Sequence, residues 1–218
     1  SSFGQSYFLG LFNSSIRDAL SITHGQFGSI YASATLCSSL LLIWVGKKID
    51  DVNIFKFAFF VTILLSFACF FFSKVSSVLL LFIAIFLMRF SGQGMMSHTA
   101  STTISRYFTR TRGRALSISW FGLSSAEFIM PVLMVYLLTF LDWQNLWLIF
   151  SVTVLIVLPI ASFLLIKNLN LDSRESYDEN IDEIEIKQWK RREVIKDYRF
   201  YIISLNMLAM PWIFTGFA

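Results

Sequence analysis

Long apolar segments recur along this chain at 25–46, 54–73, 77–103, 115–141 and 146–166, and only short polar interruptions separate them. Spanning a ~30 Å hydrocarbon core takes about 20 helical residues, and each segment reaches that length. In hydrocarbon every backbone N–H and C=O must find a partner within protein, so such segments form helices. A shorter apolar stretch at 1–12 precedes them and another at 200–218 follows. The pattern predicts an all-α membrane protein, built as a six-helix bundle whose first helix is truncated, plus the start of a seventh helix.

Composition agrees. Hydrophobic residues make up 56% of the 218 and charged residues only 15%, against about 25% charged in a soluble domain. There are 24 Phe and 3 Pro. These proportions exclude a soluble catalytic domain and belong to a multispan protein. Cys37 and Cys69 both lie in apolar runs. They read as two small buried hydrophobes, with neither metal spacing nor a disulfide framework.

The opening stretch 3-FGQSYFLGLF-12 covers about 10 residues, or roughly 15 Å of helix, too short to span. It has no basic n-region and no small-residue cleavage site, so it is no signal peptide. It reads as the second half of a helix whose start is missing. Three regions follow: an N-terminal bundle at 1–166, a cytoplasmic linker at 167–197, and the start of a C-terminal bundle at 198–218.

Lys and Arg in the loops set the orientation. Lys47, Lys48 and Lys56 follow the second segment, and Arg106, Arg110, Arg112 and Arg114 follow the fourth. The alternate loops at 13–24, 73–76 and 142–145 hold only Arg17 and Lys74. Even-numbered helices therefore end in the cytoplasm. The linker runs from an acidic block, Asp178 to Glu185, into a basic one, Lys187 to Lys196. Beside the basic block, Trp189, Val194, Ile195 and Tyr198 outline a partial apolar face. That face suits a helix on the anionic inner leaflet; the alternative is a solvated connector.

One stretch breaks the apolar pattern, 86-FLMRFSGQGMMSH-98. With the fourth helix starting near Ser77, Arg89 lies about 18 Å along it. An arginine at that depth costs at least ~2.5–3.5 kcal/mol and must face protein or water. Glu127, on the fifth segment, lies at a similar depth. It is either the ion-pair partner of Arg89 or a proton carrier, and a purely structural pair is the plainer alternative. Gln93 adds a neutral hydrogen-bonding group. Gly92, Gly94 and Gly122 let neighbouring helices approach closely. His98, near the cytoplasmic end of the same helix, and His24, at the outer mouth, are lone histidines and candidates for pH sensitivity. No HExxH motif, catalytic triad, phosphate loop or metal cluster is visible in the sequence, so no enzyme, cofactor or metal is expected.

These features resemble the major facilitator superfamily. The loop 46-GKKIDDVN-53 is similar to the family's cytoplasmic gate motif, with Gly46 and Asp50 matching. Asp51 replaces the basic residue that follows the Asp, and the later Gly and Arg pair is lost. The run 89-RFSGQG-94 resembles the family's fourth-helix motif, which links Arg89 to proton coupling or substrate binding. The segment 107-YFTRTRGRALSISWFGLSSAE-127 resembles the corresponding part of monocarboxylate and oxalate/formate-type porters. Pro131 follows Met130 rather than Gly, a departure from the drug/proton antiporter signature.

The resemblance implies a secondary transporter working by alternating access. It would move a small solute, such as an organic anion of the monocarboxylate kind, with protons or another coupling ion. Its partners would be that solute, the lipid bilayer and the missing C-terminal half of the same protein, with no nucleic acid. Efflux of drugs or metabolites by the same fold, or a non-transporting membrane sensor, are the alternatives. Short loops and the lack of a targeting segment point to a prokaryotic inner membrane.

Overall fold

The computed structural model describes residues 3–49, 52–108, 111–167 and 191–216. Two compact units divide the chain, Ser1–Phe163 and Leu164–Ala218.

In the first unit the helices are α1 (Ser6–Gly10), α2 (Asn13–Leu20), α3 (His24–Val45), α4 (Ile54–Ser73), α5 (Val78–Met88), α6 (Ser97–Tyr107), α7 (Arg112–Leu138) and α8 (Trp143–Lys167), the last crossing into the second unit. A 3-10 turn, Gly46–Ile49, extends α3. A π-helical segment, Arg89–Met96, joins α5 to α6. The second unit holds α9 (Arg191–Lys196) and α10 (Tyr198–Gly216). No strand occurs among the described residues. Among the described residues, five helical stretches are long and apolar enough to cross a membrane, including an uninterrupted Val78–Tyr107.

The short polar interruptions are helix caps. Thr23 begins α3 with a capping box: its Oγ1 accepts from the N–H of Gln26 while its own N–H donates to Gln26 Oε1 at 2.8 Å. Asn53 Oδ1 accepts from the N–H of Phe55 at the start of α4. Ser77 Oγ accepts from the N–H of Leu80 at the start of α5. Each cap satisfies a donor that a helix start leaves open.

An aromatic cluster lies within the interior. Phe8, Phe12 and Trp147 are fully buried. Trp147 packs 4.5 Å from Phe72, 5.2 Å from Phe12 and 5.6 Å from Phe8, centroid to centroid. These rings join the N-terminal helices to α4 and α8. Ser66 and Ser151 add a reciprocal link, each hydroxyl donating to the other's carbonyl at 2.9 Å. Lipid tails supply little hydrophobic drive between helices, so interdigitated rings and hydrogen bonds of this kind hold such a bundle together. A second cluster, with Ile49, Phe57, Val61, Phe90 and Met95, packs the region below Arg89.

The structure revises several expectations. Residues 3–12 do not continue as one helix: Gly4 has φ +87°, and only Ser6–Gly10 is helical in α1. The loop expected at 13–24 contains α2, whose Ile16 is fully buried and whose Arg17 Nε donates to Asn13 Oδ1 at 2.9 Å. Its polar composition hides the single apolar anchor. Ser21, in the left-handed region at φ 52°, ends it. Cys69 is buried as expected, whereas Cys37 lies on the exposed side of α3. Asp50, Arg110 and Trp189 lie outside the described residues. In the second unit, Ile195 and Tyr198 are exposed.

Candidate functional site

The oddity at Arg89 is resolved by the π-helical segment. In a π turn the hydrogen bond closes five residues along rather than four. The wider turn groups Arg89 with Gln93 and Gly94. Local chemistry favours the departure from α geometry. Ser91 Oγ donates to the Leu87 carbonyl at 2.7 Å, competing for the acceptor of the α ladder. Gly92 and Gly94 are weak helix formers.

Gly92 serves a second purpose. A Cβ built on it would collide with the Phe3 carbonyl and come within 3.2 Å of the Gly4 Cα. The extended residues before α1 therefore cross directly over the π segment. Only hydrogen on both facing Cα atoms permits this approach, and a Cβ on Gly4 would strike the Met88 carbonyl.

That crossing delivers the partners of Arg89. Its Nη1 donates to the Gly4 carbonyl and to Ser6 Oγ, both at 3.1 Å. Ser6 Oγ in turn accepts from the Tyr31 hydroxyl at 2.9 Å. The Arg89 guanidinium carbon sits 5.2 Å from the centre of the Tyr31 ring, a cation–π distance. Arg89 is itself only 9% exposed. Neutral oxygens and a ring face replace its hydration, without a countercharge among the described residues.

Glu127 is not among those partners, which corrects the expected ion pair. It is half-buried on α7, and no carboxylate lies within ion-pair distance of Arg89 among the described residues. The reason is how α7 packs: Met134 is its one buried residue among those described, and Phe121, Phe128 and Val132 are exposed. Gly122 likewise meets no neighbour, for an added Cβ would find nothing within 4 Å. A Cβ added at Gly94 would meet one, the Leu42 side chain of α3 at 3.1 Å.

Between α3 and the π segment lies a cavity of about 270 Å³. Helix α3 lines it with Thr35, Ser38, Ser39 and Leu42, spaced on one helical face. Arg89, Gln93 and Gly94 line the other side. Three buried polar atoms of these residues have no hydrogen-bond partner: Thr35 Oγ1, Arg89 Nε and Gln93 Oε1. Ser38 and Ser39 spend their hydroxyls on the Thr35 carbonyl. The cavity thus pairs one fixed positive charge with neutral donors and acceptors, and none of its lining residues is acidic.

Beside α6 the expected gate residue Gly46 is buried. Its carbonyl lies 3.0 Å from His98 Nε2, so His98 is a tether here. Arg106 Nη2 donates to the Ile49 carbonyl at 3.3 Å. Both bonds fasten the 3-10 turn after α3 to α6. His24 opens α3 at an exposed position.

Sequence reading missed Gly4, Ser6, Tyr31 and Thr35. For Thr35 a signal existed in the polar positions 35, 38 and 39 on one face of an apolar helix. For Gly4 and Ser6 there was none, because their role arises from a crossing between segments far apart in the chain.

Membrane-length helices, a caged arginine within one of them and a polar cavity beside it define a polytopic membrane protein. The family model of the Major Facilitator Superfamily matches residues 1–218, and the chain belongs to that superfamily of membrane transporters. No curated protein and no solved structure matches it.

Proposed function

We propose that the chain is part of a proton-coupled secondary transporter for a small organic anion, working by alternating access. The observation that carries this reading is Arg89. It is a permanent cation within a membrane-length helix, lining a cavity, with no carboxylate to neutralise it among the described residues. A charge in such a place is expensive unless an anion joins it during the transport cycle. An anion of the monocarboxylate kind supplies the missing countercharge. At about 270 Å³ the cavity falls just under the ~300–1,000 Å³ of drug-sized ligand pockets, which suits a small solute.

Glu127, unpaired on α7, is the carboxyl group assigned to carry the proton. Gln93 belongs to the binding site, and Gly46 with Asp50 to the cytoplasmic gate. Gly94 serves close packing against α3, and Gly92 the crossing of the N-terminal segment. The basic loops orient the bundle with the linker in the cytoplasm, in a prokaryotic inner membrane.

The test is uptake of labelled monocarboxylates into proteoliposomes holding the intact protein, with and without an inward proton gradient. Gradient-driven uptake that Arg89→Ala abolishes is the expected result. If none of the anions moves, the anion reading fails; if uptake ignores the gradient, the coupling assignment fails.

A further inference from the structure

The 3-10 turn Gly46–Ile49 has two unlike sides. Side chains three apart eclipse in such a turn, and here the eclipsed pair, Gly46 and Ile49, is buried. Ile49 packs in the cluster that holds Ile54 and Phe57 of α4. From α6, His98 Nε2 holds the Gly46 carbonyl at 3.0 Å and Arg106 Nη2 the Ile49 carbonyl at 3.3 Å. A turn fastened on that side presents Lys47 and Lys48 outward, and both are exposed. Lys56, in the first turn of α4, is exposed as well. No carboxylate pairs with these lysines among the described residues; Asp50 and Asp51, between them in the chain, lie outside those residues.

The neighbouring surface is graded. On α3 the exposed Leu36, Leu40 and Trp44 follow one another at four-residue spacing, and Lys47 and Lys48 stand one turn beyond Trp44. On α4 the exposed Phe59, Phe60 and Ile63 stand one to two turns from Lys56. Each helix runs from an apolar face to a cationic end, with Trp44, 65% exposed, at the boundary on α3. Tryptophan concentrates at the headgroup level of a bilayer, and lysines near it extend their charge toward lipid phosphates. The other end of α4 differs, for there Lys74 lies over the Phe70 ring, 5.9 Å from its centre.

We propose that Lys47, Lys48 and Lys56, with Trp44, bind the headgroup of an anionic phospholipid. Charge complementarity selects that occupant. Three exposed cations at the ends of apolar helix faces fit a molecule that carries a negative charge and acyl chains together. In the orientation proposed above, this end meets the cytoplasmic leaflet, where anionic lipids set the surface potential. None of these residues lines the Arg89 cavity, so the site does not depend on which solute is carried.

The experiment measures lipid retention by the intact protein in detergent, using native mass spectrometry with equal amounts of phosphatidylglycerol and phosphatidylcholine. Each lysine near an anionic headgroup is worth about fivefold, so the wild type should prefer phosphatidylglycerol by about a hundredfold. Lys47→Gln with Lys48→Gln should bring the preference down to about fivefold. Lys47→Arg with Lys48→Arg keeps both charges and should keep the preference. Lys74→Gln should leave it unchanged. In nanodiscs of the wild type, amide exchange across 44–57 should slow about threefold or more with phosphatidylglycerol relative to phosphatidylcholine, and this slowing should vanish in the double glutamine variant.

Equal retention of the two lipids by the wild type overturns the proposal, and another part of the chain then covers the lysines. A preference that survives the double glutamine variant, or that Lys74→Gln lowers as much, also overturns it. If glycerol 1-phosphate at matched concentration displaces the lipid fully, the site takes a free phosphate and the lipid assignment fails.

Discussion

Arg89 Nη1 donates to the carbonyl of Gly4, a residue 85 positions earlier in the chain, at 3.1 Å. The same nitrogen reaches Ser6 Oγ. One side chain thus pins the crossing of the N-terminal segment over the π turn, while the same residue lines the cavity. Arg89 links the packing of the bundle to the site it is proposed to form.

Lysine cannot replace it fully. An ammonium keeps the charge but lacks the planar fork that holds Gly4 and Ser6 from one nitrogen and leaves another for a solute. Arg89→Ala should reduce anion uptake about a hundredfold or more, and Arg89→Lys about tenfold, given ~1.5–3 kcal/mol per hydrogen bond to a charged group. Initial uptake rates in proteoliposomes, normalised to reconstituted protein, check both. Equal losses in the two variants would show that the charge alone is insufficient.

Tyr31 offers two separable contacts, its ring to Arg89 and its hydroxyl to Ser6. Tyr31→Phe removes only the second and should cost about 1 kcal/mol in thermal stability in detergent. Tyr31→Ala removes both and leaves a cavity, so a loss of about 3 kcal/mol or more is expected. Similar values for the two would mean that the ring contributes little.

The glycines divide sharply. Alanine at Gly92 would put a Cβ against the Phe3 backbone, which cannot swing aside as a side chain does. A loss of about 1–3 kcal/mol, the range for overpacking, is expected. Gly122→Ala enters open space and should be neutral or stabilising by up to about 1 kcal/mol. Melting curves of the two variants in one detergent decide the comparison.

Ser66 and Ser151 exchange two hydrogen bonds between α4 and α8. A double-mutant cycle with alanine at each should give a coupling energy of about 0.6–1.7 kcal/mol, as for hydrogen bonds between membrane helices. Additive effects would show that the two serines stabilise the bundle only through packing.

His98→Leu removes the bond to the Gly46 carbonyl but preserves side-chain bulk. Amide hydrogen exchange across 46–49 should accelerate about tenfold, the equivalent of ~1.4 kcal/mol, while exchange in α4 stays unchanged. Unaltered exchange in the 3-10 turn would assign its order to the Arg106 contact with Ile49 instead.

Much of this architecture was already legible in the chain. The apolar runs have to be helices because hydrocarbon offers no partner to an unpaired peptide group. Their polar breaks, Thr23, Asn53 and Ser77, became caps because those side chains accept from helix-start N–H groups. Arg89 stood out because an arginine at membrane depth is costly wherever it points. Its partner was beyond reach of such reasoning. Depth along a helix does not give rotation about its axis, so equal depth for Arg89 and Glu127 carried no contact. The tertiary structure decided that Arg89 turns toward Gly4, Ser6 and Tyr31, through a backbone crossing that two glycines permit. It also decided that Thr35 and Gln93 line one cavity, because α3 packs against the π segment there.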